Sequence, residues 1–236
     1  MRKTICMLAI AGVAAGAATQ ASTAATRQAE LPTPGSFVSR VDNPWFPLRP
    51  GTVLVYRGVK DAKAARDVFT VTRATKVIEG VRTTVVDDRL YLRGKLAERT
   101  TDWYAQDKVG NVWYLGEKTA TLDAAGKVKS TDGSWQAGVD GARAGIYMPA
   151  HPKVGQSGQQ EYYKGHAEDR YEVLSLSAHV RTPAVSSRRA LRTRETTPLE
   201  PNVVDEKLYV RGIGTAREQS VKGDHERLVL RSIHRP

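Results

Sequence analysis

After Gly51 the chain runs as short segments rich in Val, Thr and Tyr and broken by glycine. "TVLVYRG", "DVFTVTRATKVIEG" and "VRTTVVDDRLYLRG" follow one another between residues 52 and 94. In the second, Val68, Thr70, Thr72 and Ala74 share one strand face, and Phe69, Val71 and Arg73 share the other. Branched and aromatic side chains suit a pleated, half-buried surface, and the glycines mark tight turns. "LAERTTDWYAQD" and "NVWYLGEKTATLD" keep this rhythm; "QQEYYKG", "DRYEVLSLSAHVR", "RRALRTRETT", "VVDEKLYVRG", "TAREQSVKG" and "ERLVLRSI" resume it after a break. Beyond residue 25 no convincing helical periodicity appears, although a short helix would fit near 36–41. About ten strands at this spacing predict an all-β, antiparallel protein. Its sheet must close or have its ends covered, so a strongly curved sheet is expected, as a half-barrel, barrel or sandwich; the half-barrel is favoured.

Three other stretches set the domain plan. Residues 1–25 begin with Arg2 and Lys3, continue through the apolar "TICMLAIAGVAAGAA", and reach small-residue sites at Thr19-Gln20-Ala21 or Ser22-Thr23-Ala24. That order is the pattern of a secretory signal peptide and predicts a periplasmic or extracellular protein. Residues 26–51 carry five prolines and end "VDNPWFPLRPG", which predicts an extended lead-in pinned down by Trp45 and Phe46. Residues 52–236 are then one antiparallel β domain. Within it the alternation lapses from Gly133 to Gly158, and this predicts a long Gly-rich loop that could cover the mouth of the sheet.

Composition removes several function classes. Cys6 is the chain's only cysteine and lies in the leader, so the mature chain offers no thiol catalysis, cysteine-ligated zinc or iron–sulfur chemistry. No stretch after the leader is apolar enough for a transmembrane segment. The formal charge is +11, or +9 once Arg2 and Lys3 are gone, which favours anionic envelope partners. Nucleic acid is a poor fit, because export and the lack of a binding module outweigh the basic balance. No cofactor motif is present: "GQSGQ" lacks a nucleophile elbow's second glycine, "RGIGTAR" lacks the third glycine of a dinucleotide loop, and no HExxH occurs.

Four places could carry function. "DWYAQDKVGNVWYLGE" (102–117) reads as a hairpin in which Asp107 enters the turn and Gly110-Asn111 leave it. Trp103 opposes Tyr104, and Trp113 opposes Tyr114, so one aromatic pair enters the core and the other lies on the far face. Cross-strand pairing accounts for such aromatics, and a ligand platform is the rival reading. Asp102, Asp107, Asn111 and Glu117 do not match a calcium loop in spacing, so no metal site is assigned. In "YYKGHAEDRYE", His166 and Glu168 would share a strand face, with Asp169 opposite; a solvated turn explains them as well as acid–base chemistry does. "SSRRALRTRETT" places Arg188, Arg192 and Arg194 on one face, suited either to anion binding or to protecting a sheet edge.

The segments "VDNPWFPLRPGT", "DWYAQDKVGNVWYLGE", "GSWQAGVDGARAGIYMPAHPKVG", "QEYYKGHAED" and "KLYVRGIGTARE" resemble a widespread family of secreted bacterial β-proteins of unassigned function. The resemblance covers nearly all of the mature chain and brings no catalytic residues with it. More remotely, "KLYVRGIGTARE" is similar to the last strands of lipoprotein-carrier-like envelope proteins, in which an incomplete barrel wraps an apolar ligand. The chain departs from the family pattern at "SSRRALRTRETT", which is richer in arginine. The leading expectation is an exported, non-catalytic envelope protein that binds or carries an apolar or amphiphilic small molecule. Trp103, Trp113, Tyr147 and Tyr162 would line its site, with no catalytic residues. Two alternatives stand beside it: an exported hydrolase using His166 and Glu168, and a structural or adhesive protein contacting anionic polymer through Arg188, Arg192 and Arg194.

Overall fold

The structure, a computed structural model, describes residues 29–236. The expected leader at 1–25 lies outside the described residues. A 3-10 turn at Pro34–Ser36 precedes β1 (Phe37–Val38). The short helix that fits near 36–41 does not form, because Phe37 and Val38 pair with Asp107 and Gln106 instead. The strands that follow are β2 (Val53–Lys60), β3 (Lys63–Ile78), β4 (Val81–Leu92), β5 (Lys95–Asp107), β6 (Val112–Leu122), β7 (Val128–Ser130), β8 (Trp135–Gln136) and β9 (Arg143–Met148). The second half holds β10 (Ser157–Gln159), β11 (Glu161–Tyr162), β12 (Arg170–Arg181), β13 (Ser186–Thr196), β14 (Val204–Val210), β15 (Gly214–Lys222) and β16 (Glu226–His234). The Gly-rich stretch 133–158 is thus a run of turns that also carries β8, β9 and the start of β10.

Every pairing is antiparallel. The strands follow one path, β10-β12-β13-β14-β15-β16-β2-β3-β4-β5-β6-β9-β11. The two ends of that path, β10 and β11, are consecutive in sequence and separated only by Gln160. The sheet therefore curls into a nearly closed barrel whose seam is the segment 157–162, with β10 on β12 and β11 on β9. Gln160 N–H donates to the Asp169 carbonyl at 2.8 Å and helps hold the seam. Gly145 makes the crossing possible: a Cβ there would lie 2.4 Å from the Gln159 carbonyl oxygen. At the β3–β4 turn, Glu79 and Gly80 take successive φ values of 48° and 77°, the left-handed pair that a two-residue hairpin needs.

Period-two alternation sorts the side chains. One continuous inner row runs Phe69, Asp88, Thr100 and Thr119 across β3 to β6, and all but Phe69 are polar. Its neighbour runs Asp67, Leu90 and Glu98. All seven are buried. Apolar packing is concentrated where Leu54, Val71, Val86 and Leu230 meet the lead-in's Val41, Phe46 and Leu48. Each large apolar side chain fully buried this way contributes about 1.5–3 kcal/mol. A second, smaller cluster of Val180, Ala190, Leu208, Val210 and Ala216 fastens the β12–β13 hairpin against β14 and β15.

Candidate functional site

The lead-in crosses one end of the barrel. Asn43 organises it: its Oδ1 accepts from Trp45 N at 2.8 Å and Phe46 N at 3.3 Å, and its Nδ2 donates to the carbonyls of Gly110 and Pro149. Gln106 Oε1 accepts from the backbone N–H of Asp42 and Asn43, while its Nε2 donates to Asp42 Oδ1. On the other side, Gly212 N–H donates to the Pro44 carbonyl. The segment thus bridges the β5–β6 turn and the β14–β15 turn, which lie at the same end. Its downward payload is Phe46, whose ring centroid lies 4.5 Å from Tyr147, 5.2 Å from Tyr104 and 6.1 Å from Phe69. Such aromatic pairs add about 0.5–1.5 kcal/mol beyond area burial. Tyr104 and Tyr114 stack at 4.7 Å beneath it.

Below the lead-in the interior divides around Tyr147. On one side a pocket of about 470 Å³, its open mouth included, is lined by Phe46, Leu54, Phe69 and Leu228 together with Asp67, Asp88 and Glu218. On the other, Tyr114 and Tyr147 face Glu117, Glu161, Asp169, Glu195 and Lys207. Across both spaces the lining holds seven carboxylates and one ammonium. A second inward lysine, Lys60, pairs with Glu226 near the far end of β2.

Lys207 is the interior's cationic centre, 1% exposed and 2.6 Å from Glu195 Oε2 and 3.6 Å from Glu218 Oε1. Burial pulls its pKa down; Glu195 and then Glu218 outweigh this and hold it well above the ordinary lysine value. Glu195 Oε1 also accepts from Tyr209 OH and Thr193 Oγ1. Glu161 behaves oppositely. Burial first, and Asp169 second, raise its carboxyl well above the usual range, against the pull of Trp135 Nε1 donating to it at 2.8 Å. Burial, then Asp102, raises Tyr104 and Tyr114 well above the ordinary phenol value, so their hydroxyls stay protonated donors. Tyr114 OH donates to Asp102 Oδ1 at 2.7 Å. This combination of carboxylates, protonated phenols and aromatic faces can hold a cation or a hydrogen-bond donor. Among the described residues, no group of three or more His, Asp or Glu is arranged to hold a metal ion.

Of the four aromatic residues expected in a ligand site, Tyr147 lines both interior spaces. Trp103 and Trp113 occupy the opposite face of the hairpin, the inward pair being Tyr104 and Tyr114. Trp103 is covered by Lys76, whose ammonium sits 3.4 Å from the ring centroid. Trp113 is covered edge-on by Phe37, and its Nε1 donates to Asp107. Tyr162 is half-buried beside the seam with Arg143 over its ring. Asp107 also accepts from Gly110 N, Asn111 N and Asn111 Nδ2, so it closes its own turn.

His166 is exposed and stacks on Tyr163; Glu168 Oε1 accepts from Gly165 N in the same turn. Arg188 is exposed, Arg192 lies 3.9 Å from Glu206, and Arg194 lies 3.0 Å from Glu172. β13 is flanked by β12 and β14, so these arginines do not guard a sheet edge. Sequence reasoning missed Phe46 as the plug and the inward acids altogether. The signal for Asp67 and Asp88 was their place in alternation, between Ala65 and Phe69 and between Val86 and Leu90.

No family model matches the chain, and no curated protein matches it. A solved structure described as a "putative lipoprotein" from Parabacteroides distasonis ATCC 8503 is similar in shape, with a TM-score of 0.45 at 10% identity. The match covers 81% of this chain and 99% of that one. Among the described residues no helix is long and apolar enough to cross a membrane.

Proposed function

We propose that this chain is an exported, non-catalytic ligand-binding barrel, and that its interior takes an amphiphilic small molecule bearing a cationic group. The observation that supports this reading is the makeup of the pocket under Phe46. Phe46, Leu54, Phe69 and Leu228 supply apolar wall, and Asp67, Asp88 and Glu218 supply negative charge within the same space. Concave, largely apolar pockets with a few convergent polar groups are the ordinary form of small-molecule sites. The apolar wall suits a hydrocarbon tail, and the carboxylates give the same space a negative field that a cationic head complements. A cationic head lets each part of the guest meet its own kind. The lead-in carrying Phe46 is the element that would have to move for entry, since it spans this end of the barrel.

The test is displacement of an environment-sensitive dye from the purified mature chain by three twelve-carbon probes below their micelle concentrations: dodecyltrimethylammonium, dodecyl sulfate and dodecanol. The cationic probe is expected to bind at least tenfold more tightly than the other two, and Asp88→Asn to reduce that preference. Equal binding of the three, preference for the sulfate, or no binding by any of them would sink the reading.

A further inference from the structure

The register of the barrel places a row of arginines on its outer surface that no single segment of sequence reveals. Arg192 on β13 faces Leu208 on β14, which faces Arg217 on β15, which faces Val229 on β16. The row continues to Arg57 on β2 and Arg66 on β3. Beyond these six residues it ends at Tyr91 on β4. Each arginine alternates with inward residues such as Tyr56, Asp67, Glu218 and Leu191, so all four project outward. No acidic residue interrupts the row. At a strand spacing of about 4.8 Å, it extends roughly 24 Å from Arg192 to Arg66, with intervals of about 10, 10 and 5 Å.

Four features separate this row from an ordinary solvated face. Arg57 and Arg66 stand directly opposite each other, and like charges in that position destabilise a sheet. Arg57, Arg66, Arg217 and the neighbouring Arg227 form no ion pair among the described residues; Arg66 rests on the Tyr91 ring, 4.1 Å from its centroid. Arg192 keeps a buried Nε without a hydrogen-bond partner. Partial burial, followed by Arg227, lowers the Arg217 pKa; Glu206 opposes this, and Arg192 adds to it. The nearby acids, Glu206 and Glu172, lie toward the β12–β14 end, where they meet Arg192 and Arg194.

We propose that this row is a binding track for a linear polyanion, a flexible chain of spaced phosphate or carboxylate groups that wraps the outside of the barrel. Guanidinium forks match both anions in bidentate geometry, and Val229, half-buried between Arg217 and Arg57, gives apolar contact to the chain's backbone. Curvature decides between a polymer and a membrane. The row crosses six of the thirteen strands along the sheet path, so its arginines fan over nearly half the circumference. A flat bilayer touches only part of such an arc; a flexible chain follows all of it. The track is separated from the interior by the sheet itself, so it stands or falls independently of the ligand reading.

The experiment uses the whole exported chain and two polymers, inorganic polyphosphate of about forty units and polygalacturonate, titrated between 50 and 300 mM salt by fluorescence anisotropy. Vesicles with 30% anionic phosphatidylglycerol serve as the membrane comparison. At least one polymer is expected to bind in a salt-dependent way; which one binds identifies the anion. The Arg57→Gln/Arg217→Gln variant should weaken binding at least tenfold at 50 mM salt and lower the salt slope by about two, roughly one per cation removed. Lys127→Gln/Lys129→Gln, which removes the same charge from the exposed segment leading into and along β7, remote from the row, should leave both unchanged. Thermal melting should not fall in either variant, and removing Arg57 from opposite Arg66 should if anything raise it. The proposal is overturned by equal weakening in the two variants, by binding to vesicles but to neither polymer, or by no binding at all.

Discussion

Replacing Lys207 by Met tests whether the interior is held together by compensated charge. The ammonium lies between Glu195 and Glu218, 2.6 and 3.6 Å away, and all three side chains are almost wholly buried. Removing it takes from Glu195 its buried counterion and weakens the compensation of Glu218, a change that typically costs about 3–5 kcal/mol. For a chain of this size each kcal/mol shifts the melting midpoint by about 2–4 °C, so the expected loss is roughly 6–20 °C at neutral pH. The pH dependence follows from the sign of the shift. Because the folded-state pKa of Lys207 is raised, its stabilisation is fully present below the unfolded lysine value and is lost only as pH rises through the folded one. Wild-type stability from this group is therefore flat between pH 5 and 8. In the variant the stranded carboxylates take up protons more readily, so its deficit shrinks on going from pH 7.5 to 5. The double change Lys207→Met/Glu195→Gln should recover more than half of the loss, because the amide oxygen still accepts from Tyr209 and Thr193. Melting followed by tryptophan fluorescence at both pH values reads all of this. A deficit that is the same at pH 5 and 7.5, and that the second change does not relieve, would refute the electrostatic account.

Two more outcomes follow from the same physics. Glu161 has a raised folded-state pKa, so the native state holds a proton that the unfolded chain has released, and stability falls as pH rises above the ordinary glutamate value, by up to about 1.4 kcal/mol per unit. Glu161→Gln, which keeps an acceptor for Trp135, should flatten urea-unfolding stability between pH 5 and 8 and be the more stable form at pH 8; an unchanged slope contradicts this. Asp107→Ala removes the acceptor for Gly110 N, Asn111 N, Asn111 Nδ2 and Trp113 Nε1, and should cost about 3 kcal/mol by chemical denaturation. A loss under 1 kcal/mol would mean that the hairpin does not depend on that carboxylate.

The fold class was legible because β alternation is written locally. The hairpin at 102–117 forms with Asp107 closing its turn, and Tyr104 and Tyr114 share one face while Trp103 and Trp113 share the other. Which pair faces inward was not legible, since both pairs end up buried. The tryptophans are sealed by Phe37 and Lys76, which arrive from β1 and β3. The interior acids were not legible for a related reason: aromatic residues draw attention in a sequence, whereas isolated acids on strands read as solvent-facing. Asp67 and Asp88 sit at inward positions by simple counting, yet their roles depend on neighbours brought in from other strands. Conversely, the cluster at His166 and Glu168 looked rich in sequence and sits on an exposed turn.

The sequence by itself determined the elements: antiparallel strands, their turns, and a proline-rich lead-in anchored by Trp45 and Phe46. These depend on interactions between residues close along the chain, or on composition alone. Only the tertiary structure decided that the sheet nearly closes on itself through Gln160, that Glu195, Lys207 and Glu218 from three strands share one interior, and that Arg192, Arg217, Arg57 and Arg66 form one outer row. Those facts rest on inter-strand register, which depends on every turn and bulge between the partners. A one-residue slip anywhere along that path would exchange the inner face for the outer.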